Sequence, residues 1–205
     1  MEFNNVINER RAATFFDPKK DLDITLLEEI INEATLAPSC FNTQPWGVVV
    51  IKSQEAREEL FEKACQQPKV KEAPVTLAII GKRTGYEREN SIWDEKIKNG
   101  YLDEEKLKGI LSFCNSSLFA TLDQKTAYAA RNSSLLAMSI MYVAQNRGVA
   151  THPMIGFDEG AVKKLYDIEE EDIVTMLISM GYPDESRELY PREKRFTFKE
   201  ISKIY

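Results

Sequence analysis

Apolar residues recur at helical spacing after residue 24. Four of them stand at positions i, i+3, i+4 and i+7 and predict one buried helix face: Leu27, Ile30, Ile31 and Ala34. Thr25 and Glu28 have the spacing of a capping box, so this helix is predicted to begin at Thr25. Pro38 cannot continue a helix, and a turn is therefore expected to follow.

Three continuous apolar runs predict strands, over residues 48–51, 75–80 and 173–179. The first run, from Val48 to Ile51, is apolar at every position, which is typical of a central strand in a sheet covered on both faces. Residues 196–198, near the end of the chain, alternate apolar and polar and predict a further strand.

Other segments predict helices, over residues 3–11, 54–64, 123–147 and 158–166. Asp158 is the expected N-cap of the last one. The longest is apolar nearly all round in its second half, so it should be buried on several sides, by a partner subunit or by the core of a monomer. Gly148 stands where a helix C-terminus favours glycine.

Residues 86–122, which we call the excursion, are rich in charged and aromatic residues. Helices are predicted near residues 88–98 and 103–115. Because loops and excursions often carry specificity, aromatic residues here and in the preceding turn are candidates for substrate binding: Phe41, Phe113 and Phe119. The alternative is that the excursion's aromatic residues, which include Tyr86 and Trp93, only anchor it to the core.

Composition narrows the functional classes. The chain has 205 residues, and 43% of them are apolar, which is enough for a sizeable core. Its net charge is −6, so it has no general attraction to nucleic acid or anionic lipid. The three cysteines lack C-x-x-C spacing, and neither a disulfide framework nor a metal site is predicted. The start lacks a signal-peptide pattern and no apolar run approaches a membrane span, which favours a cytoplasmic location. No P-loop or G-x-G-x-x-G motif occurs.

The most informative segment is residues 37–46, Ala-Pro-Ser-Cys-Phe-Asn-Thr-Gln-Pro-Trp, which we call the proline turn. It joins a predicted helix to a predicted strand. Composition alone favours a simple connecting loop. Its hydroxyl and amide side chains, however, can also bind a ring with alternating N–H and C=O groups.

The proline turn resembles the A-P-S-x-x-N-x-Q-P-W segment of the FMN-dependent nitroreductase family. The resemblance implies an α+β fold, with a central mixed or antiparallel sheet surrounded by helices and a long central helix at a homodimer interface. It further implies one FMN-binding domain over residues 1–205, with the helical excursion and a C-terminal extension over about 184–205. In the family such a tail can embrace the partner subunit.

The resemblance also implies a phosphate site. Arg10 and Arg11 correspond to a pair of basic residues with which the family binds the FMN phosphate. A planar guanidinium group is well suited to this role. Ala12 and Thr14 occupy neighbouring cofactor-binding positions, where family members often carry a serine and a basic residue. The matching basic residues near the C-terminus are Arg195, then Arg192 and Lys194.

Contacts with the flavin ring and ribityl chain are implied for three segments: Pro38, Ser39 and Asn42; Gln66 and Lys69; and Pro153, Met154, Ile155 and Gly156 of a P-x-x-G-F motif. A cation beside flavin N1 and O2 would meet negative charge that gathers there on reduction, and backbone N–H groups of the motif would face N5. Gln67 competes with Gln66, and residues 66–70 could instead form a solvated linker. These remote segments are expected to converge on one FMN.

The family resemblance implies an oxidoreductase in which NAD(P)H reduces FMN and a nitroaromatic or quinone-like acceptor is then reduced in a ping-pong cycle. No side chain need act as an acid or base, and His152, the only histidine, is expected to have a structural or peripheral role. The alternatives are a flavoenzyme for an enone or a halogenated aromatic, and a non-catalytic flavin carrier.

Overall fold

The computed structural model describes residues 2–205. The helices are α1 (Phe3–Glu9), α2 (Ile24–Ala34), α3 (Gln54–Lys63), α4 (Lys69–Glu72), α5 (Ile92–Lys98), α6 (Glu104–Phe113), α7 (Leu122–Asn146), α8 (Glu159–Leu165) and α9 (Phe198–Ile201). The strands are β1 (Trp46–Ile51), β2 (Val75–Gly81), β3 (Ala150–Met154) and β4 (Ile173–Gly181). A 3-10 turn lies at Cys40–Asn42, and a π-helical turn at Cys114–Leu118 follows α6.

The four strands form one sheet in the order β1-β2-β4-β3, and every neighbouring pair is antiparallel. The α+β fold is therefore confirmed, and the sheet is antiparallel rather than mixed. The prediction that residues 48–51 form a central strand is wrong, because β1 lies at an edge of this sheet. The apolar run reflects packing of β1 against the helices on both faces rather than pairing on both sides.

Two hydrophobic clusters cover the two faces of the sheet. Alternate residues of β2 point in opposite directions: Leu77 joins a cluster with α2 and α7, and Ala78 joins a cluster with α3 and α8. Leu27, Ile30 and Ala34 of α2 are buried as predicted, whereas Ile31 is only partly buried. The sheet is thus the middle layer between two layers of helices.

Several helix ends match the sequence prediction. Helix α7 covers Leu122–Asn146 and begins with a capping box between Thr121 and Gln124. Gly148 follows its C-cap with a φ of 73°, a left-handed conformation that costs glycine little. Asp158 caps α8 by accepting a hydrogen bond from the Ala161 N–H.

Two other predictions of elements are wrong. Helix α2 begins one residue before Thr25, because the side chain of Asp23 accepts the Thr25 N–H at 2.9 Å and acts as the N-cap. Residues 196–198 are not a strand, because Thr197 forms a capping box with Glu200 and begins α9. In addition, the sequence gives no sign of β3, a short edge strand that contains Pro153.

Within residues 2–205, no helix is both long and apolar enough to cross a membrane. The same residues contain no group of three or more His, Cys, Asp or Glu side chains arranged to hold a metal ion.

Candidate functional site

A cationic cavity, which we call the arginine pocket, has a volume of about 430 Å³ and lies where three segments of the chain meet. It is lined by Arg10, Arg11, Ala12, Pro153, Tyr190, Pro191, Arg192, Glu193 and Arg195. The first two segments are joined because the Ala13 N–H donates to the Thr151 carbonyl at 2.8 Å, beside a parallel bridge between Ala12 and Thr151. His152 adds to this junction a 2.7 Å contact between its Nδ1 and the Ala13 carbonyl.

The arginine pocket has an unbalanced charge. Four guanidinium groups face one carboxylate, that of Glu193, and none of the four forms an ion pair within residues 2–205. Arg11 donates to the Tyr190 carbonyl and Arg192 donates to the Asn8 carbonyl at 2.5 Å, which holds the C-terminal segment against the end of α1. Clustered cations repel one another, so an anion such as a phosphate group fits this pocket.

The P-x-x-G-F motif forms an exposed turn after β3. Met154 is buried in the core, whereas Ile155 is 81% exposed, so Met154 can contribute only backbone groups to a ligand at this surface. The backbone N–H groups of Ile155 and Gly156 donate no hydrogen bond within residues 2–205. The Gly156 carbonyl, by contrast, accepts the Gln67 side-chain amide at 3.2 Å, which holds the turn in place.

Of the two glutamines, Gln67 contacts the turn of the P-x-x-G-F motif, whereas the side chain of Gln66 is exposed. A methyl group on Gly156 would lie 3.3 Å from Gln67 Nε2, so glycine permits this close approach. Lys69 pairs with Glu72 and lies 5.6 Å from the centroid of the Phe15 ring, beside the segment that carries Thr14.

The proline turn has a strained backbone. Phe41, Asn42 and Gln44 have φ values of 54°, 53° and 47°, although none of them is glycine. Left-handed backbone of this kind costs of order 1 kcal/mol or more per residue and persists only where the surroundings enforce it. One local restraint is the Ser39 hydroxyl, which accepts the Gln44 N–H at 2.9 Å. Pro38 and Asn42 are exposed.

A buried polar network from α7 supports the proline turn. Asn132 accepts the Cys40 N–H at 2.8 Å, and the Thr43 and Tyr128 hydroxyl groups are 2.7 Å apart. Burial raises the pKa of Tyr128, so its hydroxyl stays protonated and available for this bond at neutral pH. Burial also raises the pKa of the Cys40 thiol, which argues against a reactive thiolate. Sequence reasoning missed Asn132 and Tyr128, because nothing in an apolar helix pattern marks a polar contact with a turn so distant along the chain.

The proline turn and the arginine pocket lie at opposite corners of the sheet. Trp46, at the end of the turn, pairs with Gly81, which pairs with the first residue of β4, whereas Ala150 pairs with Gly181, the last residue of β4. Trp46 and Ala150 are therefore separated by three strand spacings, about 15 Å, and by the length of β4, roughly 26 Å. One chain does not bring all the predicted segments together, so their convergence on one FMN stays a prediction for the homodimer that the resemblance implies.

The excursion's aromatic residues mostly serve as anchors. Phe119 is buried, with its ring centroid 4.5 Å from that of Tyr86 and 4.4 Å from that of Tyr128. Its prediction as a substrate-binding residue is therefore corrected, because packing removes it from the surface. Phe41 is partly buried, with its ring centroid 6.2 Å from that of Trp93, and Phe113 is 51% exposed.

One family model, several named relatives and several solved structures match most of the chain. A family model described as "Nitroreductase family" matches residues 7–182. The protein named "Putative NAD(P)H nitroreductase MhqN" from Bacillus subtilis is 33% identical over 181 residues, covering 88% of each chain. The crystal structure of ydfN from Bacillus subtilis has a TM-score of 0.89 and 31% identity, over 100% of this chain and 99% of its own. A protein from Exiguobacterium sibiricum in complex with FMN has a TM-score of 0.87 and 24% identity, covering 100% and 98%.

Proposed function

Because the chain belongs to the nitroreductase family, we propose that this oxidoreductase binds FMN, accepts reducing equivalents from NAD(P)H and passes them to a nitroaromatic or quinone-like acceptor in a ping-pong cycle. The observation that supports this most directly is the arginine pocket, where four guanidinium groups meet beside a turn with two unpaired backbone N–H groups. A similar fold has been crystallised in complex with FMN.

The chemistry that FMN supplies when bound is hydride transfer at its N5 atom. Arg10, Arg11 and Arg195 bind the phosphate. The Arg10 side chain donates no hydrogen bond within residues 2–205. Arg11 donates to the Tyr190 carbonyl and Arg195 to the carbonyl groups of Glu193 and Lys194, but a guanidinium group has five N–H donors, so donors remain for a phosphate. The N–H groups of Ile155 and Gly156 orient the ring edge. Lys69 supplies positive charge near the segment of Thr14, and Gln67 holds the turn at Gly156.

The protein works as a cytoplasmic homodimer in this proposal. The arginine pocket of one copy is completed by Pro38, Ser39 and Asn42 from the proline turn of the other copy, since one chain keeps these sites at opposite corners of the sheet. Apolar side chains are available to cover a partner: Leu135 of α7 is 45% exposed, and the C-terminal extension exposes Phe196, Phe198 and Ile201 by 66–73%.

The first test is to purify the protein, record its visible spectrum, and identify any released flavin. Rapid mixing with NADH and with NADPH should then bleach the flavin, and a nitroaromatic, a quinone, an enone and a halophenol should be compared as oxidants. A colourless preparation that does not bind added FMN would overturn the proposal. A flavin that binds and stays oxidised would identify a carrier instead.

A further inference from the structure

The excursion makes two side-chain contacts with the strained backbone of the proline turn. Asn90 Nδ2 donates to the Thr43 carbonyl and to the Gly85 carbonyl, each at 2.7 Å, and its Oδ1 accepts the Ile92 N–H at 3.0 Å. Lys96 Nζ donates to the Phe41 carbonyl. The carbonyl groups on both sides of Asn42 are therefore held by the excursion.

These contacts differ from those made by α7. Helix α7 holds the Cys40 N–H and the Thr43 hydroxyl, so it fixes the start of the turn and one side chain. The excursion holds the carbonyl group of the left-handed Phe41 and that of Thr43, which lies between the left-handed Asn42 and Gln44. Because residues with side chains enter this conformation only when it is enforced, the excursion contributes to enforcing it.

We propose that Asn90 and Lys96 are positioning residues for the cofactor, which keep the proline turn in the shape that presents Ser39 and Asn42 to the flavin. This inference rests on the proposed function. The excursion then does more than pack against the core. A shift of residues 90–96 would move the carbonyl groups of Phe41 and Thr43 with it. FMN binding at the proline turn and the position of the excursion are then coupled.

The test compares two variants with the same charge change, Asn90→Asp and Asn99→Asp. Asp at position 90 keeps the acceptor for the Ile92 N–H but places a carboxylate oxygen against the two carbonyl groups. Asn99 lies at the exposed end of α5, and its side chain makes no hydrogen bond within residues 2–205. A second pair, Lys96→Met and Lys98→Met, removes one amine that contacts the turn and one that does not.

Hydrogen exchange of residues 39–46 in the FMN-free protein is the first readout, and FMN titration with the visible circular dichroism of the bound flavin is the second. In Asn90→Asp and Lys96→Met we expect exchange of the turn amides to rise and FMN affinity to fall about tenfold. Thermal unfolding should change little in Lys96→Met, whereas Asn90→Asp should also unfold at a lower temperature, because it loses two hydrogen bonds to part-buried carbonyl groups. The two control variants should resemble the wild type in every readout.

Wild-type exchange of residues 39–46 in both test variants would overturn the inference, as would faster exchange with unchanged FMN affinity and flavin spectrum. If Asn90→Asp does not fold, the comparison of Lys96→Met with Lys98→Met tests the inference. Failure of the wild type to bind FMN would refute the proposed function itself, and the exchange data would still show whether the excursion restrains the turn.

Discussion

Two residues of the arginine pocket are predicted to affect FMN binding in opposite directions. Replacing Arg10 with Ala removes a charged donor, and we expect FMN affinity to fall about 10- to 100-fold. Replacing Glu193 with Gln removes the one lining carboxylate and should strengthen FMN binding slightly. Fluorescence titration with FMN at low and high salt measures both effects, and salt should reduce the difference between the variants.

The Glu193 variant also serves as the control. A simple loss of folding would weaken binding in both variants, whereas the charge argument requires opposite signs. Equal affinities for all three proteins at low salt would mean that the phosphate binds elsewhere.

At the residue scale, the sequence motif is enough to predict that Arg10, Arg11 and Arg195 share a site, and the structure brings them to one pocket. The sequence could not distinguish Gln66 from Gln67, because adjacent residues in an irregular segment give no periodicity that shows which side chain faces inward. Asn132 could not be predicted as a support of Cys40, since the two residues meet only through the packing of α7.

The start of α2 allows the structure to be tested against the sequence pattern. Asp23→Ala removes the side chain that accepts the Thr25 N–H, and we expect it to lower the free energy of unfolding by about 1 kcal/mol. Thr25→Ala, at the residue that the capping-box pattern favours, should change it little, because Thr25 lies inside the helix. Urea denaturation of both variants gives the comparison. A larger loss for Thr25→Ala would restore the cap predicted from sequence.

Contact between β2 and α7 depends on a glycine. A methyl group at Gly81 would lie 2.9 Å from both the Ala129 carbonyl oxygen and the Ser133 hydroxyl. Gly81→Ala should therefore destabilise the protein by roughly 1–3 kcal/mol through overpacking. The control is Gly109→Ala in α6, where a methyl group meets nothing within 4 Å and should stabilise the helix by about 0.5–1 kcal/mol.

Unfolding midpoints in urea are expected to move in opposite directions for these two glycine variants. If Gly81→Ala left the midpoint unchanged, β2 and α7 would not be packed as closely as described.

At the scale of elements, the longest helix and a continuous apolar strand were the most predictable. Helix α7 and strand β2 match their predicted bounds within about one residue. The edge position of β1 was not predictable, because an apolar run reports burial of both faces and says nothing about which strands pair. Strand β3 was missed because it is short and contains a proline, which an edge strand tolerates.

At the scale of the whole molecule, sequence resemblance predicts the set of cofactor segments, but the sheet order decides which of them one chain can bring together. The order β1-β2-β4-β3 places the proline turn beside one edge strand and the arginine pocket beside the other. In the proposed homodimer, this separation predicts how much FMN a mixed dimer binds.

Consider a chain with Arg10→Ala and a second chain with Ser39→Ala and Asn42→Ala, each of which should bind FMN poorly alone. If each site takes its arginine pocket from one copy and its proline turn from the other, a mixed dimer has one site with both defects and one site with none. Differently tagged chains, refolded together and purified through both tags, should then bind about half the FMN of the wild type at wild-type affinity. If each site belonged to a single chain, every site would carry a defect and the mixed dimer would bind as poorly as its parents.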